Sequence, residues 1–271
     1  MILLLVDIGN TRVKWARLVD GQMGKQHAAA SAGWDARRYA RRVIGRGWRP
    51  GEGRIVVSSV AGNQINQLLV AAARQAGAPA PEFVASERSA AGVTTEYLDP
   101  WRLGVDRFVG AIGAHHLASG QPVCVVNVGT AMTIDLVDGS GLHRGGAIVP
   151  GPALMVDSLL TQTNGIRRRA SGGPNGVTSL FARTTRTAIG QGALYAAAAV
   201  IDRAIEEARG QLGSTPLVLL TGGGSAVIRP LVRNTSVALP DLVLHGLAVW
   251  ARQSLPDADR RQASRKRREL D

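Results

Sequence analysis

The sequence predicts an α/β protein with two related domains, each built around a mixed β-sheet. A supersecondary unit that occurs twice supports this prediction. Residues 2–29 and 122–149 each contain three short strands, joined by a tight glycine turn and an Asp-Gly hairpin turn. In both halves, helices that alternate with short strands follow this unit, as in α/β sheets. Self-similarity on this scale indicates two related domains, whose opening hairpins make the sheets mixed.

The first domain is predicted to span residues 1–118. The apolar run 2–6 ends at Asp7 and predicts a buried strand, which strands over 13–19 and 22–29 follow. Helices and strands are then predicted to alternate over the segments 35–44, 54–58, 63–76, 82–84 and 104–117. Residues 119–122 (Ser-Gly-Gln-Pro) are typical of a domain junction.

The second domain is predicted to span residues 119–254. Its opening strands are predicted at 123–126, 133–137 and 142–149. A long helix, a strand, a helix, a strand and a last helix are predicted to follow at 185–209, 217–220, 225–232, 236–238 and 241–253. The segment 164–179 is rich in Gly, Arg and Ser and predicts a mobile loop near a cleft between the domains.

Composition narrows the class of protein. Of the 271 residues, 45% are hydrophobic and 19% charged, which is the balance of a globular chain. No apolar run has the length of a membrane helix, and the first residues lack the basic flank and long apolar core of a secretory signal. We therefore expect a cytoplasmic protein without membrane association. Its single cysteine, Cys124, excludes an internal disulfide.

The net charge of +12 comes almost entirely from arginine. Such an excess is compatible with nucleic-acid binding. The densest basic cluster, residues 260–268, lies in a polar tail over 255–271 that lacks helical periodicity. A solvated, mobile end is the simpler interpretation of such a run, so nucleic acid is an open but less favoured partner.

The first glycine turn, at residues 7–11 (Asp-Ile-Gly-Asn-Thr), is a candidate anion-binding site. A glycine two residues after a strand-terminal aspartate allows a tight turn, in which consecutive backbone N–H groups face a ligand. Asp7 would then hold Mg²⁺ through water. An ordinary hairpin, with Asp7 capping its turn, explains this single motif at least as well.

The second turn, at residues 127–131 (Asn-Val-Gly-Thr-Ala), repeats this pattern in the other half of the chain. Two such turns facing each other would hold a polyphosphate from both sides. A third glycine-rich turn, at 221–226, lies between a predicted strand and helix. It would admit a phosphate or a flat ring, or simply connect the two elements. The sequence contains no Walker motif, so ATP binding would need another architecture.

These paired units and the late glycine-rich turn resemble the superfamily of actin, sugar kinases and heat-shock ATPases. Within it, the chain resembles the type III pantothenate kinases from residue 3 to about residue 250. The segments that carry the resemblance are 7–11, 103–107 (Leu-Gly-Val-Asp-Arg), 129–135 (Gly-Thr-Ala-Met-Thr-Ile-Asp), 145–151 (Gly-Gly-Ala-Ile-Val-Pro-Gly) and 240–247 (Pro-Asp-Leu-Val-Leu-His-Gly-Leu). The resemblance implies an actin-like, ribonuclease H-like fold with an interdomain cleft. It also implies ATP-dependent phosphorylation of pantothenate, the first step of coenzyme A biosynthesis, by a homodimer.

The resemblance assigns Asp106 the role of the base that accepts the proton of the pantothenate hydroxyl. The residues that would bind pantothenate are Tyr97, Gly104, Val105, Asp106, Arg107 and Thr187. Arg107 would hold the substrate carboxylate or the transferring phosphoryl group, and Thr187 would act from the partner subunit. Structural alternatives stay open: an ion pair at a helix start for Asp106 and Arg107, packing for Tyr97, and helix capping for Thr187.

For ATP, the resemblance implies binding at both glycine turns. The residues assigned are Asp7, Ile8, Gly9, Asn10, Thr11, Arg12, Val13, Lys14, Gly129 and Thr130. Asp7 is also the residue expected to hold Mg²⁺, through water. Lys14 would approach the phosphates, although a lysine on a strand surface is the simpler interpretation.

Two positions depart from the family pattern. The second turn normally begins with an aspartate associated with a monovalent cation, K⁺ or NH₄⁺, where this chain has Asn127. The late motif commonly carries an acidic residue where this chain has Gly224. Both changes remove negative charge and predict a weakened or lost dependence on the monovalent cation, whereas Asp7 and Asp106 predict activity.

Two other functions stay open at this point. A transcription accessory protein is compatible with the basic charge, and a nucleotide-binding member without catalysis is compatible with the two lost charges. The apolar helix around 193–201 is equally compatible with a dimer interface and with a domain core.

Overall fold

The computed structural model describes residues 2–49, 52–170 and 179–254. Over these residues the chain divides into two compact units. The first runs to Ser119 and also includes the chain from Asp241, and the second comprises Gly120–Pro240. The tail predicted at 255–271 and residues 171–178 of the predicted loop lie outside the described residues.

Strands and helices alternate along the described chain. The strands are β1 (Ile2–Ile8), β2 (Arg12–Val19), β3 (Gln22–Met23), β4 (His27–Ala30), β5 (Ile55–Ser59), β6 (Pro81–Phe83), β7 (Ser89–Ala90), β8 (Val93–Thr95), β9 (Val123–Val128), β10 (Ala131–Val137), β11 (Leu142–Pro150), β12 (Leu217–Thr221) and β13 (Val237–Ala238). The helices are α1 (Ala36–Tyr39), α2 (Gly45–Gly47), α3 (Asn63–Gln75), α4 (Val105–Ala118), α5 (Pro152–Gln162), α6 (Asn164–Arg169), α7 (Thr185–Leu212), α8 (Ser225–Ile228) and α9 (Leu242–Gln253). A π-helical turn (Ala40–Ile44) and two 3₁₀ turns (Pro100–Arg102, Arg229–Leu231) complete the regular structure of these residues.

The first unit is organised around a mixed sheet with the strand order β3-β2-β1-β5-β6, in which β4 also pairs with β2. β1 pairs antiparallel with β2 and parallel with β5. Side chains of β1 alternate between two cores: Leu4, Val6 and Ile8 face one, and Leu3 and Leu5 face the other. A strand buried on both faces reads as a continuous apolar run, as residues 2–6 do.

The last helix, α9, belongs to the first unit, whereas the sequence analysis assigned residues 119–254 to a second domain. It crosses α4 at close range because glycines leave room for backbone contact. A Cβ atom at Gly246 would collide with the carbonyl oxygen of Val109, and one at Gly113 would lie 2.7 Å from that of Leu242. Leu247 of α9 packs into the same core as β1.

The second unit contains a mixed sheet in which the strands run in the order β13-β12-β9-β10-β11. β9 pairs antiparallel with β10 and parallel with β12. Helix α7, of 28 residues, packs Ala197, Ile201 and Ile205 into a core with Cys124 and Val126. The apolar stretch of α7 therefore contributes to the core of its own unit.

Several elements differ from the prediction. The segment 22–29 splits into β3 and β4, and the helix predicted at 35–44 continues as a π-helical turn. Residues 164–169 of the predicted loop form α6, and neither α5 nor the hairpin β7–β8 was predicted. None of the residues of α5 is buried in the described chain, although five of its eleven residues are Leu, Met or Val. In the described part of the chain, every helix is too short or too polar to cross a bilayer.

Candidate active site

Asp7 lies near the end of β1, directly opposite Lys14 of β2 and beside Ser58 of β5. Only 8% of its surface is exposed. Burial raises the pKa of its carboxyl to about 6, the positive charge of Lys14 lowers the pKa, and the negative charge of Asp106 raises it again. Lys14 is thus a half-buried neighbour of the buried Asp7 carboxyl group.

Asp106 occupies the first turn of α4, just after the N-cap residue Gly104. It is half-buried, and its Oδ1 accepts a hydrogen bond from the backbone N–H of Arg107 at 2.9 Å. A Cβ atom at Gly104 would lie 2.8 Å from this oxygen, so a glycine at this position leaves room for the carboxylate. Since the charge of Asp106 acts on the pKa of Asp7, the structure brings these two carboxylates of the first unit together.

Arg107 is buried, with 6% of its surface exposed, and it contacts Tyr97 in two ways. Its Nη1 donates a hydrogen bond to the Tyr97 hydroxyl at 2.8 Å, and its guanidinium carbon lies 5.5 Å from the centre of the ring. Tyr97 is therefore held by a polar contact to the residue next to Asp106. A buried guanidinium with this partner is a suitable ligand for a carboxylate or a phosphoryl group.

The first glycine turn contains exposed residues, whereas the neighbouring strand residues Ile8 and Val13 are buried. The N–H of Gly9 donates to the carbonyl of Arg12 at 2.9 Å, which closes the turn. Asn10, Thr11 and Arg12 are exposed, and these residues present the turn to solvent. Ile8 and Val13, which the sequence analysis assigned to ATP, have fully buried side chains that pair across β1 and β2. These two residues can therefore offer a ligand only backbone groups.

The second glycine turn has a similar closure, since the N–H of Gly129 donates to the carbonyl of Ala131 at 3.1 Å. Gly129 and Thr130 are exposed. The carbonyl of Thr130 accepts the N–H of Gly151 at 2.8 Å, and a Cβ atom at Gly151 would collide with the carbonyl of Gly129. Gly151 therefore lets the end of β11 lie against this turn.

Asn127 is the next-to-last residue of β9 in the second unit, beside the third glycine-rich turn. Its Oδ1 lies 2.6 Å from the position of a Cβ atom at Gly222, whose φ is +87°. A Cβ atom at Gly224 would lie 2.7 Å from Val128 Cγ1. Close packing against β9 thus explains these two glycines, whereas Gly223 has open space where a side chain would lie.

Thr187 lies in the first turn of α7, in the second unit. Its N–H donates to Oγ1 of the N-cap residue Thr184 at 3.2 Å, and its own hydroxyl donates to the carbonyl of Thr184 at 3.1 Å. These contacts match the capping alternative, in which Thr184 is the cap and Thr187 is tied to it.

The donor set around Asp7 fits Mg²⁺. Carboxylate oxygens are preferred ligands of this ion. A cation beside Asp7 would also offset the burial that raises its pKa to about 6. Over the described residues, Asp7 included, no group of three or more His, Cys, Asp and Glu side chains is arranged to hold a metal ion, so Asp7 would hold Mg²⁺ mainly through water.

Sequence reasoning missed Arg88, whose guanidinium contacts the backbone around Tyr97. Nothing in its local sequence distinguishes it in a chain with 32 lysines and arginines. The contact arises because β7 and β8 form a hairpin, which places Arg88 beside the segment that follows β8.

Comparison with protein families gives a match over most of the chain. The family model described as type III pantothenate kinase matches residues 3–207. A type III pantothenate kinase from Nitrosococcus oceani is 36% identical over 259 residues, which cover 93% of this chain and 95% of that protein. A type III pantothenate kinase from Herminiimonas arsenicoxydans is 38% identical over 263 residues, which cover 94% of this chain and 99% of that protein.

Solved structures share the fold at lower identity. A protein from Campylobacter jejuni described as a Baf family transcriptional activator has a TM-score of 0.57 at 17% identity, and the match covers 93% of this chain and 100% of that one. A protein from Sinorhizobium meliloti described as a 2-dehydro-3-deoxygalactonokinase has a TM-score of 0.55 at 16% identity, over 94% and 99% of the two chains. These likenesses agree with the predicted actin-like α/β fold.

Proposed function

Because the chain belongs to the type III pantothenate kinase family, we propose that it transfers the γ-phosphate of ATP to the hydroxyl of pantothenate. The product is 4′-phosphopantothenate, in the first step of coenzyme A biosynthesis. The observation in the structure that supports this best is the proximity of Asp106 to Asp7, since a phosphotransferase needs a base near the residue that holds its metal ion.

Asp106 accepts the proton of the pantothenate hydroxyl as the hydroxyl oxygen attacks the γ-phosphorus. Its half-buried position and the hydrogen bond from the N–H of Arg107 fix the carboxylate at the start of α4. Phosphoryl transfer depends mainly on positioning and on stabilisation of charge, so a carboxylate base at a fixed place suits the reaction.

Pantothenate is held by the residues around Asp106. Arg107 binds the substrate carboxylate or the transferring phosphoryl group, and its hydrogen bond to the Tyr97 hydroxyl keeps both side chains in place. Gly104 and Val105 line the same site at the start of α4. Thr187 contributes from the partner subunit, so the active form is a homodimer.

ATP is bound through its phosphates at the two glycine turns. In the first unit, the exposed turn after Asp7 and the Lys14 ammonium meet the phosphate oxygens. In the second unit, Gly129 and Thr130 do so. Asp7 would hold Mg²⁺ through water, and the bound ion would neutralise part of the charge on the phosphates. We expect the enzyme to act in the cytoplasm.

The proposal is tested by ADP release from purified protein supplied with ATP, Mg²⁺ and pantothenate. We expect release that depends on pantothenate, and a loss of about 10²- to 10⁴-fold in Asp106→Asn, the range for removal of a general base. Glu206→Gln, which changes an exposed carboxylate of α7, is the control and should match the unchanged protein. Absence of pantothenate-dependent release from the unchanged protein would overturn the proposal.

The same assay tests the monovalent cation. Asn127 offers a neutral amide oxygen where the family pattern has a carboxylate, so K⁺ or NH₄⁺ should increase turnover only weakly. Asn127→Asp restores the negative charge and should make turnover depend on K⁺. Equal K⁺ dependence in both proteins would show that residue 127 does not set this requirement.

A further inference from the structure

We propose that Arg88 is a positioning residue for pantothenate binding, because its guanidinium holds the backbone segment that carries Tyr97. This inference rests on the proposed function. The segment consists of residues 95–98, which run from the last residue of β8 towards the 3₁₀ turn Pro100–Arg102.

Three backbone carbonyl groups of the segment accept hydrogen bonds from the one guanidinium. Nη1 of Arg88 donates to the carbonyl of Thr95 at 2.8 Å and to that of Tyr97 at 2.7 Å. Its Nη2 donates to the carbonyl of Leu98 at 3.0 Å. Backbone carbonyls outside a helix or sheet need partners, and the planar fork of arginine can serve several at once.

Apolar packing does little to hold this segment. The side chain of Leu98 is 94% exposed, so burial does not fix the chain after Tyr97. Thr95 is the buried end, with 1% of its surface exposed, and its Oγ1 accepts the N–H of Tyr97 at 3.2 Å. The segment is therefore anchored on one side by Thr95 and on the other by Arg88.

A continuous chain of contacts leads from Arg88 to the catalytic base. Arg88 fixes the backbone of Tyr97, whose hydroxyl accepts a hydrogen bond from Arg107 at 2.8 Å. The N–H of Arg107 in turn donates to Asp106. A shift of the Tyr97 backbone would move its hydroxyl away from Arg107, and the pantothenate site would lose its geometry before the ATP turns are affected.

The test compares Arg88→Met, which removes the donors but keeps much of the length, with Arg88→Lys, which keeps the charge but loses the fork. We expect both variants to raise the KM for pantothenate by roughly ten-fold, with the KM for ATP and kcat changed less than about two-fold. Arg203→Met, at an exposed arginine of α7 that pairs with Glu207, is the control and should change neither constant.

A double variant separates positioning from direct contact with substrate. If Arg88 acts through Tyr97, then Arg88→Met should raise the KM for pantothenate much less in a Tyr97→Phe background than in the unchanged protein. If the increase in KM of the double variant is the product of the increases in the two single variants, Arg88 contacts the substrate itself or acts elsewhere, and the proposal is overturned. A rise in both KM values together with a lower unfolding midpoint would show a structural role only.

Amide hydrogen exchange tests the positioning role of Arg88 independently of kinase activity. Amides in the peptide that spans residues 88–103 should exchange faster in Arg88→Met than in the unchanged protein, whether or not substrate is present. Unchanged exchange would overturn the positioning role of Arg88 even if the kinase is active. If Arg88→Met shows faster exchange but the unchanged protein does not phosphorylate pantothenate, the substrate assignment is overturned. The contact of Arg88 with the backbone of residues 95–98 is then still supported.

Discussion

At the scale of single residues, burial of the Asp7 carboxylate reduces the stability of the fold. Its carboxylate is buried near the end of a sheet strand, and its pKa is about 6 against an ordinary value of 3.8. Because the folded chain binds the proton more tightly than the unfolded chain, ionisation of Asp7 opposes folding as the pH rises above about 4.

Asp7→Asn is therefore expected to stabilise the protein at neutral pH. Each pKa unit corresponds to about 1.4 kcal/mol, so the gain should approach about 3 kcal/mol above pH 6 and vanish near pH 4. Urea unfolding at several pH values with a chelator present measures this gain. The same variant should lose kinase activity.

Asp138 provides the opposite case. Burial alone would raise the pKa of its carboxyl, but hydrogen bonds from Ser140, Leu142 and Arg144 outweigh burial and lower it. Asp138→Asn should cost about 2 kcal/mol at neutral pH, and the cost should shrink as the pH falls below the ordinary value of 3.8. If Asp7→Asn and Asp138→Asn changed the free energy of unfolding in the same direction at pH 7, the burial argument for Asp7 would be wrong.

At the scale of elements, a buried polar pair joins β10 to β11. His143 Nε2 lies 2.9 Å from Asp135 Oδ1, and the two side chains are 0% and 2% exposed. The pair lies next to a β-bulge between Asp135 and Val137, where the register of the two strands shifts. Side-chain contact therefore stabilises the pairing at a point where the backbone ladder is irregular.

Replacing one partner of this pair should be costly. His143→Leu removes the ring that Asp135 contacts and should destabilise the protein by about 2 kcal/mol, since a buried polar side chain loses this hydrogen-bond partner. Asp135→Val combined with His143→Leu should recover part of this loss, because an apolar pair needs no polar partner. Thermal or urea unfolding of four proteins measures both effects: the unchanged protein, His143→Leu, Asp135→Val and the double variant. A double variant as unstable as the sum of the two single variants would contradict the explanation.

Helix packing in the first unit depends on Gly246 of α9. Gly246→Ala would push a Cβ atom into the carbonyl of Val109, so we expect a loss of about 3 kcal/mol as the helices move apart. Gly110→Ala on α4 is the matched control, since no atom lies within 4 Å of its Cβ position. The control should be neutral or more stable by up to about 1 kcal/mol, as alanine favours a helix over glycine. Equal losses in the two variants would contradict the contact.

At the scale of the whole molecule, the first unit is made from two separate parts of the chain. α9 supplies Leu244 and Leu247 to the core that contains Leu3 and Leu5. Without this helix, one face of the sheet would expose its apolar side chains to water. The chain up to Ser119 is therefore incomplete as a folding unit, although it contains the whole sheet of that unit.

This arrangement predicts the behaviour of fragments. Residues 1–119 alone should not unfold cooperatively, whereas the same residues joined to 241–254 by a flexible linker should do so. Circular dichroism during urea titration distinguishes the two fragments. Cooperative unfolding of residues 1–119 alone would show that α9 is dispensable for this unit.

Local signals account for what could be predicted. Apolar runs of four to eight residues, Asp-Gly turns and a glycine after Asp7 each depend on a few neighbouring residues, so strands such as β1 and β9 were predicted close to their bounds. The recurrence of these signals predicted two related sheets. Asp106 became the catalytic candidate through the resemblance of residues 103–107 to a known family, since no local pattern distinguishes its carboxylate from the others.

Contacts between distant segments could be found only in the tertiary structure. Spacing does not show that α9 returns to the first sheet, that Asp106 acts on the pKa of Asp7, or that Arg88 holds the backbone of Tyr97. Each of these depends on strand register and helix packing, which align residues that have no local relation. The sequence alone thus determined most of the helices and strands, and the kinase family to which the chain belongs. The fold determined which side chains meet, because burial and register operate between segments that are far apart along the chain.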